Sequence, residues 1–264
     1  MNKIIVLLCL GLTLSGCKKN VEKKIEVPEE TEEVTEEVSQ QKKDHQLIEV
    51  KKTLEPITID GVANETIWQN TSWHPIDQLW LGKEYDATDF SGKYKLTWDK
   101  SALYILVEIQ DDTLYDQNKD PLTLWWDDDC VEIFVDEDNS GGEHQYNHNA
   151  FAYHIALDGN VVDIAPGETP KLYNNHVKSK RQTRGNTSIW EFNMSLYDNT
   201  YKDDGNNTSV KLNTNKKIGF AIAYCDNDSS AQRENFIGSV RVEGDDKNRG
   251  WIDANIFGTL VLAD

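Results

Sequence analysis

Basic residues are the scarce charge in this chain: 27 Lys and Arg face 46 Asp and Glu, for a formal net charge of −19. That balance repels phosphate backbones and anionic lipid surfaces, which excludes nucleic acid as a partner and leaves a neutral ligand or a cation as the better fit. The apolar stretch at residues 4–14 falls well short of the roughly 20 residues that a membrane-spanning helix needs. No His-Glu-x-x-His segment occurs, and His144, His148, His154 and His176 lack paired metal-ligand spacing, so a catalytic zinc is not expected. A Gly-x-Ser-x-Gly elbow and a phosphate-cradling glycine loop are missing too. No internal repeat and no helical period of useful length is present, apart from a short turn around residues 64–68.

What is present begins with Asn2 and Lys3, the short apolar stretch, and then Leu14-Ser15-Gly16-Cys17. This layout reads as a lipoprotein signal peptide over residues 1–16, cut before a lipidated Cys17. Acyl chains on Cys17 would hold a soluble domain at the cell envelope of a Gram-negative bacterium, and Lys18 points to the outer membrane without fixing the face. Residues 17–45 are poor in apolar side chains and rich in Glu, as in Pro28-Glu29-Glu30-Thr31-Glu32-Glu33. Low hydrophobicity and like-charge repulsion make this an acidic, disordered tether, about 90 Å long at full stretch. With Cys9 and Cys17 assigned to the leader and the anchor, Cys130 and Cys225 remain for the folded part. One disulfide or two separate buried thiols both fit, because bridging depends on a geometry that spacing does not reveal.

Residues 46–264 change texture to short alternating or apolar runs, separated by Gly, Asn, Asp and Pro. Strands are expected over 93–98, 103–109, 131–135, 151–157, 189–196, 218–225 and 259–262, with Asp158-Gly159-Asn160 as a tight turn. Many strands and few helices imply a single domain, all-β, an antiparallel β-sandwich of jelly-roll type.

The most unusual stretch of the folded part is Leu124-Trp125-Trp126-Asp127-Asp128-Asp129-Cys130-Val131-Glu132-Ile133-Phe134-Val135-Asp136. Strand alternation sends Val131, Ile133 and Val135 to one side and Glu132 and Phe134 to the other. A carboxylate beside flat aromatic surface is a pairing suited to sugars, which present C–H groups to rings and hydroxyls to acceptors. The competing reading makes Trp125 and Trp126 core residues and Glu132 a solvated strand residue. Trp68, Trp73, Trp98 and Trp190 sit in strand-like positions and are expected in the core.

Several segments, taken in order, are similar to carbohydrate-binding module family 9 (CBM9). They are Ile57-Thr58-Ile59-Asp60-Gly61, Glu65-Thr66-Ile67-Trp68, Trp98-Asp99-Lys100-Ser101-Ala102-Leu103-Tyr104-Ile105, Asp128 to Asp136, and Trp251-Ile252-Asp253-Ala254-Asn255-Ile256-Phe257-Gly258-Thr259-Leu260. The resemblance implies a non-catalytic β-sandwich that stacks a sugar, a glucan or xylan chain end in the best-known members, between two tryptophan rings. Carried over by motif, Trp126 is one wall and Trp251 the other. Glu132 is the carboxylate for sugar hydroxyls and Asn248 a hydrogen-bonding amide. The family's basic ligand residue falls at His154, where an imidazole replaces a permanently charged fork of donors.

The resemblance also raises a structural calcium, with no cofactor required beyond it. The acidic groups Asp127-Asp128-Asp129, Asp136-Glu137-Asp138-Asn139 and Asp226-Asn227-Asp228 carry suitable oxygens. A full EF-hand loop is missing, since the last acidic ligand counted from Asp136 falls at Asn147, and solvated carboxylates are the expected state in so acidic a chain. Two alternatives to a binding protein stay open. A hydrolase needs only two suitably spaced carboxylates among many, and a haem-binding redox sandwich would need axial ligands such as Met194 and one histidine.

Overall fold

The computed structural model describes residues 46–264. The expected signal segment, lipidated Cys17 and the whole tether at residues 17–45 lie outside them. Two sheets are stacked. The larger runs β1 (Leu47–Lys51), β14 (Gly258–Ala263), β12 (Lys217–Asp226), β6 (Cys130–Asp136), β7 (Phe151–Ala156), β8 (Val161–Ala165) and β9 (Thr169–Leu172). One half of β12 pairs with β14, and the other half pairs with β13 (Asn235–Gly238), which in turn pairs with β3 (Gln78–Leu81). The smaller sheet is β10 (Val177–Arg184), β11 (Thr187–Met194), β5 (Leu103–Asp111), β4 (Phe90–Trp98) and β2 (His74–Ile76). Among these strands only β1 and β14 pair parallel. All seven strands expected from sequence are present, each extended or trimmed by a few residues at its ends.

The main core lies between the sheets. Val131, Ile133 and Val135 of β6 meet Ile105, Val107 and Ile109 of β5 and Trp190 and Phe192 of β11 there. Met194 is fully enclosed in the same layer, packed among core side chains and away from the lining of the cavity described below. Of the four tryptophans expected in the core, Trp68, Trp98 and Trp190 are buried. Trp73 is a correction: it is 36% exposed, with the ammonium groups of Lys93 and Lys95 over its ring at 4.7 and 4.6 Å. A surface indole covered by cations keeps attractive contacts without burial.

Both sheets also carry a second, outer apolar layer. On the small sheet, residues 57–70 fold back over Tyr104, Leu106 and Ile189 and include α1 (Thr66–Asn70), which buries Trp68. Glu191 anchors this flap from within, accepting hydrogen bonds from the Asp60 and Gly61 backbone N–H groups and from Trp68 Nε1. Gly61 has φ of +77° and packs so closely on the Gln182 backbone that a Cβ would lie 3.1 Å from its nitrogen, so glycine is needed there. On the large sheet, β12 presents Ala221, Ala223 and Cys225 outward, and these small side chains leave room for the rings of Trp80, Phe134, Phe236 and Phe257. Phe134 therefore faces away from the main core, as alternation requires, yet is buried.

The turn joining β4 to β5 shows how a motif acts locally. Asp99 Oδ1 accepts from Ser101 N, Ser101 Oγ and Ala102 N, which closes the chain reversal with one side chain. Replacing Asp99 with Ala should cost roughly 1 kcal/mol, as loss of a capping carboxylate does. Urea unfolding would measure it as a lower midpoint with an unchanged slope.

Candidate functional site

Above the outer layer of the large sheet opens a cavity of about 300 Å³, and Trp126, Glu132, His154, Asn248 and Trp251 all line it. The structure thus brings together every sequence-expected binding residue, from three separate stretches of chain. Trp126 and Trp251 are each half-buried, neither enclosed in the core nor free in solvent.

Each wall is held by its own supports. Trp126 stands on a loop that the aspartates after it brace. Asp127 Oδ1 accepts from Arg233 N, Asp128 accepts from Gln117 N and Asn118 N, and Asp129 accepts from Tyr115 N and Asn227 N. Expecting this run to be solvated is corrected by these bonds, since all three side chains are buried. Backbone N–H groups in a strandless loop need acceptors, and the carboxylates supply them. Trp125 is buried edge-on beneath Trp126, the ring centroids 4.7 Å apart at 82°.

The Trp251 wall is fixed by contacts with Phe134 and His144. Gly250 lies flat on Phe134, where a Cβ would sit 2.9 Å from the ring, and His144 Nε2 bonds the Gly250 carbonyl at 2.9 Å. Asp253 then caps the single 3-10 turn Ala254–Ile256 and delivers Phe257 into the outer layer. Asn248 stands three residues before Trp251, half-buried; its backbone N–H bonds Asp246, and its side-chain amide has no protein partner among the described residues.

The floor is Glu132. Antiparallel register places it directly opposite His154, whose Nε2 is 2.8 Å from Oε1. Arg233 Nη1 at 3.1 Å and Cys225 Sγ at 3.0 Å reach the same oxygen. Burial opposes ionisation here, but the attraction of His154 and Arg233 outweighs it and holds the Glu132 carboxyl below its ordinary range. A solvated Glu132 is therefore excluded. The expectation that His154 alone stands in for a charged fork is also corrected. A guanidinium is present, on the connection between β12 and β13, in the polar run Asp228-Ser229-Ser230-Ala231-Gln232-Arg233, which carries no motif to mark it. Sequence reading missed Gln145, Tyr146 and Asp163 as further lining residues too. Asp163 accepts from Ala152 N and Ile164 N, while burial pushes its carboxyl up to about 8.

Cys130 and Cys225 are both free, buried, and directly opposite one another on β6 and β12. With Glu132 they form a tight group of potential metal ligands, but the Arg233 guanidinium already supplies the cation. A better metal fit is the buried trio Asp111, Asp129 and Asp226, whose ligand oxygens lie within 4.8 Å of one another. Burial and mutual repulsion push Asp129 up to about 9 and Asp226 up to about 8. Nearby Asp228 keeps Oδ1 buried without a hydrogen-bond partner. An all-oxygen set that otherwise retains protons suits a hard cation such as calcium.

Stacked sheets with two aromatic walls over a charged floor define a β-sandwich with a ligand cleft on one sheet face. The chain belongs to the family described as "Carbohydrate family 9 binding domain-like", whose model matches residues 59–264. Among curated proteins it is 27% identical over 208 residues to endo-1,4-beta-xylanase A of Thermotoga maritima and 26% identical to that of Thermotoga neapolitana. The match covers 77% of this chain but only 17% of either relative, so the chain spans about a sixth of their length. A CBM9 module of Caldicellulosiruptor kristjanssonii in complex with cellotriose superposes with a TM-score of 0.63 at 23% identity, covering 83% of this chain and 94% of that one. Its complex with glucose gives 0.61, covering 82% and 95%. A carbohydrate-binding protein of Bacteroides uniformis, so described in provisional terms, gives 0.52 at 13% identity, covering 82% and 99%. At these identities the structural likeness establishes the sandwich fold.

Proposed function

We propose that this chain is a non-catalytic saccharide-binding protein that captures the end of a β-1,4-linked glucan or xylan chain. The observation that carries the reading is the convergence of Trp126 and Trp251, from loops far apart in sequence, on one cavity floored by the ion-paired Glu132. Indole faces take up the apolar C–H surfaces of a pyranose, and a few placed polar groups fix its orientation. Three donors already occupy Glu132 Oε1, which leaves Oε2 to accept a sugar hydroxyl; Asn248 completes the polar set, and His154, with Nε2 on Glu132 and Nδ1 on the Ala152 carbonyl, orients the carboxylate. Calorimetric titration with cellotriose and xylotriose tests the reading. Heat that saturates at one site per chain supports it, and no binding of any oligosaccharide on a glycan array removes it.

The remaining assignments extend the proposal. Lipidation at Cys17, supported by Leu14-Ser15-Gly16-Cys17, tethers the sandwich to the cell envelope, with the outer membrane as the proposed location. Intact-mass analysis of membrane fractions would find diacylglycerol on that cysteine and lose it in Cys17→Ala. Asp111, Asp129 and Asp226 hold a structural calcium, which would replace retained protons and tie the end of β5 to the residue before β6 and the end of β12.

One observation favours hydrolysis as a second reading. The cavity pairs a carboxyl held low, Glu132, with one held high, Asp163, the split that acid-base catalysis uses. Incubation with labelled xylan and cellulose distinguishes the two. We expect retention of intact polymer and no release of reducing ends; product that disappears in Glu132→Gln would favour the enzyme.

A further inference from the structure

We infer that Arg233 is a specificity-determining ligand residue, which together with Glu132 reads two adjacent hydroxyls of one pyranose. The inference rests on the saccharide reading above. Arg233 lines the cavity with its side chain 9% exposed, so its charge is oriented and nearly removed from water. Among the described residues its side-chain hydrogen bonds run through Nη1 alone, to Glu132 Oε1 and to Cys225 Sγ, each at 3.1 Å. A guanidinium has five N–H donors in a fixed fork, and those on Nη2 and Nε have no protein partner among the described residues.

The fork is also rigid. Its central carbon lies 4.1 Å from the centroid of the buried Phe236 ring, which sets the plane of the group. Its backbone N–H is bonded to Asp127 Oδ1, next to Trp126, so the loop carrying the guanidinium is stapled to the loop carrying one aromatic wall. Unspent donors on a preorganised fork, beside a cavity suited to hydroxyls, are ligand contacts held ready. The shared Nη1 to Oε1 bond then fixes Arg233 as donor and Glu132 Oε2 as acceptor side by side. Neighbouring hydroxyls on a sugar ring, each able to donate and to accept, match that arrangement, whereas an isolated hydroxyl engages only half of it.

The experiment pairs variants with ligands. Wild type, Arg233→Lys and Arg233→Gln are titrated with glucose and with the full set of monodeoxyglucoses, and thermal melts check that each variant is folded. Arg233→Gln should weaken glucose binding by roughly tenfold to a hundredfold, the scale of a charge-assisted hydrogen bond. Arg233→Lys, which keeps the charge but not the fork, should recover only part of it. For one monodeoxy analogue the penalty of Arg233→Gln should vanish, and for the analogue at the adjacent carbon the wild-type affinity should itself be low. Equal loss across every analogue overturns the inference while leaving the sugar site standing, as does glucose affinity unchanged in Arg233→Gln. Failure of the wild type to bind glucose or cellotriose overturns the saccharide reading and the inference with it.

Discussion

Replacing either Trp126 or Trp251 with Ala lowers affinity for cellotriose by at least about thirtyfold, the scale of a tryptophan at the centre of an interface, and leaves the fold intact. The size of the effect follows from the chemistry of the walls. A pyranose has little to offer a protein except C–H surface and hydroxyls, and the hydroxyls surrender good bonds to water before they gain new ones. Most net affinity therefore comes from covering the C–H surface with flat apolar rings. Folding tolerates the change because both indoles are half-buried on loops, whereas Trp68, Trp98 and Trp190 are enclosed in the core layers. The double variant should lose less than the sum of the singles, since a sugar held on one face alone is already loosely placed. Isothermal titration with a parallel thermal melt reads both quantities. An alanine variant that binds as wild type does would take that ring out of the site.

Stability falls between pH 6.5 and pH 9 in calcium-free buffer, with the melting temperature dropping by at least about 5 °C. The sign comes from carboxyls whose folded-state values are raised: Asp163 and Asp226 to about 8 and Asp129 to about 9, each driven first by burial. In the unfolded chain these groups ionise near 4, so the folded state holds protons that the unfolded state has released. Their contribution is complete below the unfolded value and is lost as pH rises through the folded one. Below pH 6.5 the balance changes, because burial lowers His176 to about 4 and also lowers His144 and His148, and these must gain protons on unfolding. Two protons held by the folded state alone across one pH unit correspond to about 3 kcal/mol, and each kcal/mol moves the midpoint of a domain this size by about 2–4 °C. Calcium bound at Asp111, Asp129 and Asp226 would replace two of the three proton sites and flatten the alkaline slope. Melting curves at pH 6.5 and 9, with calcium or with EDTA, give all four values. A midpoint that climbs with pH in EDTA would contradict the assignment of buried protonated carboxyls.

The sandwich was legible because burial leaves a period in the chain. Cys130 to Asp136 alternates cleanly, and the two faces of β6 fall where that alternation puts them. The second apolar layer was not legible, since the rings that cover Phe134 come from Trp80 and Phe257, which are remote from it in sequence and meet it only through the tertiary fold. Strand β10 was missed for a related reason: Val177–Arg184 is an edge strand of Lys, Ser, Arg, Gln and Thr, held by pairing with β11 and almost without apolar content. At the site, the resemblance to the family's motifs implied the two tryptophans, Glu132, Asn248 and His154, and the structure's strand register sets His154 opposite Glu132. Arg233 left no trace, because a loop residue is placed by tertiary bonds to Asp127, Glu132 and Cys225 that no local pattern encodes. The Asp127-Asp128-Asp129 run misled for the same reason. Carboxylates in an acidic chain look solvated until the backbone N–H groups that need them come into view.

Two indoles gripping one sugar would sense it together. A titration of the 15N-labelled protein with cellotriose follows the indole N–H signals of all eight tryptophans, assigned by single Trp→Phe substitutions. Saturable shifts are expected at Trp126 and Trp251, with a smaller one at Trp125, which packs edge-on against Trp126, and unmoved signals from the buried Trp68, Trp98 and Trp190. Saturation with Trp126 and Trp251 unmoved would contradict that grip.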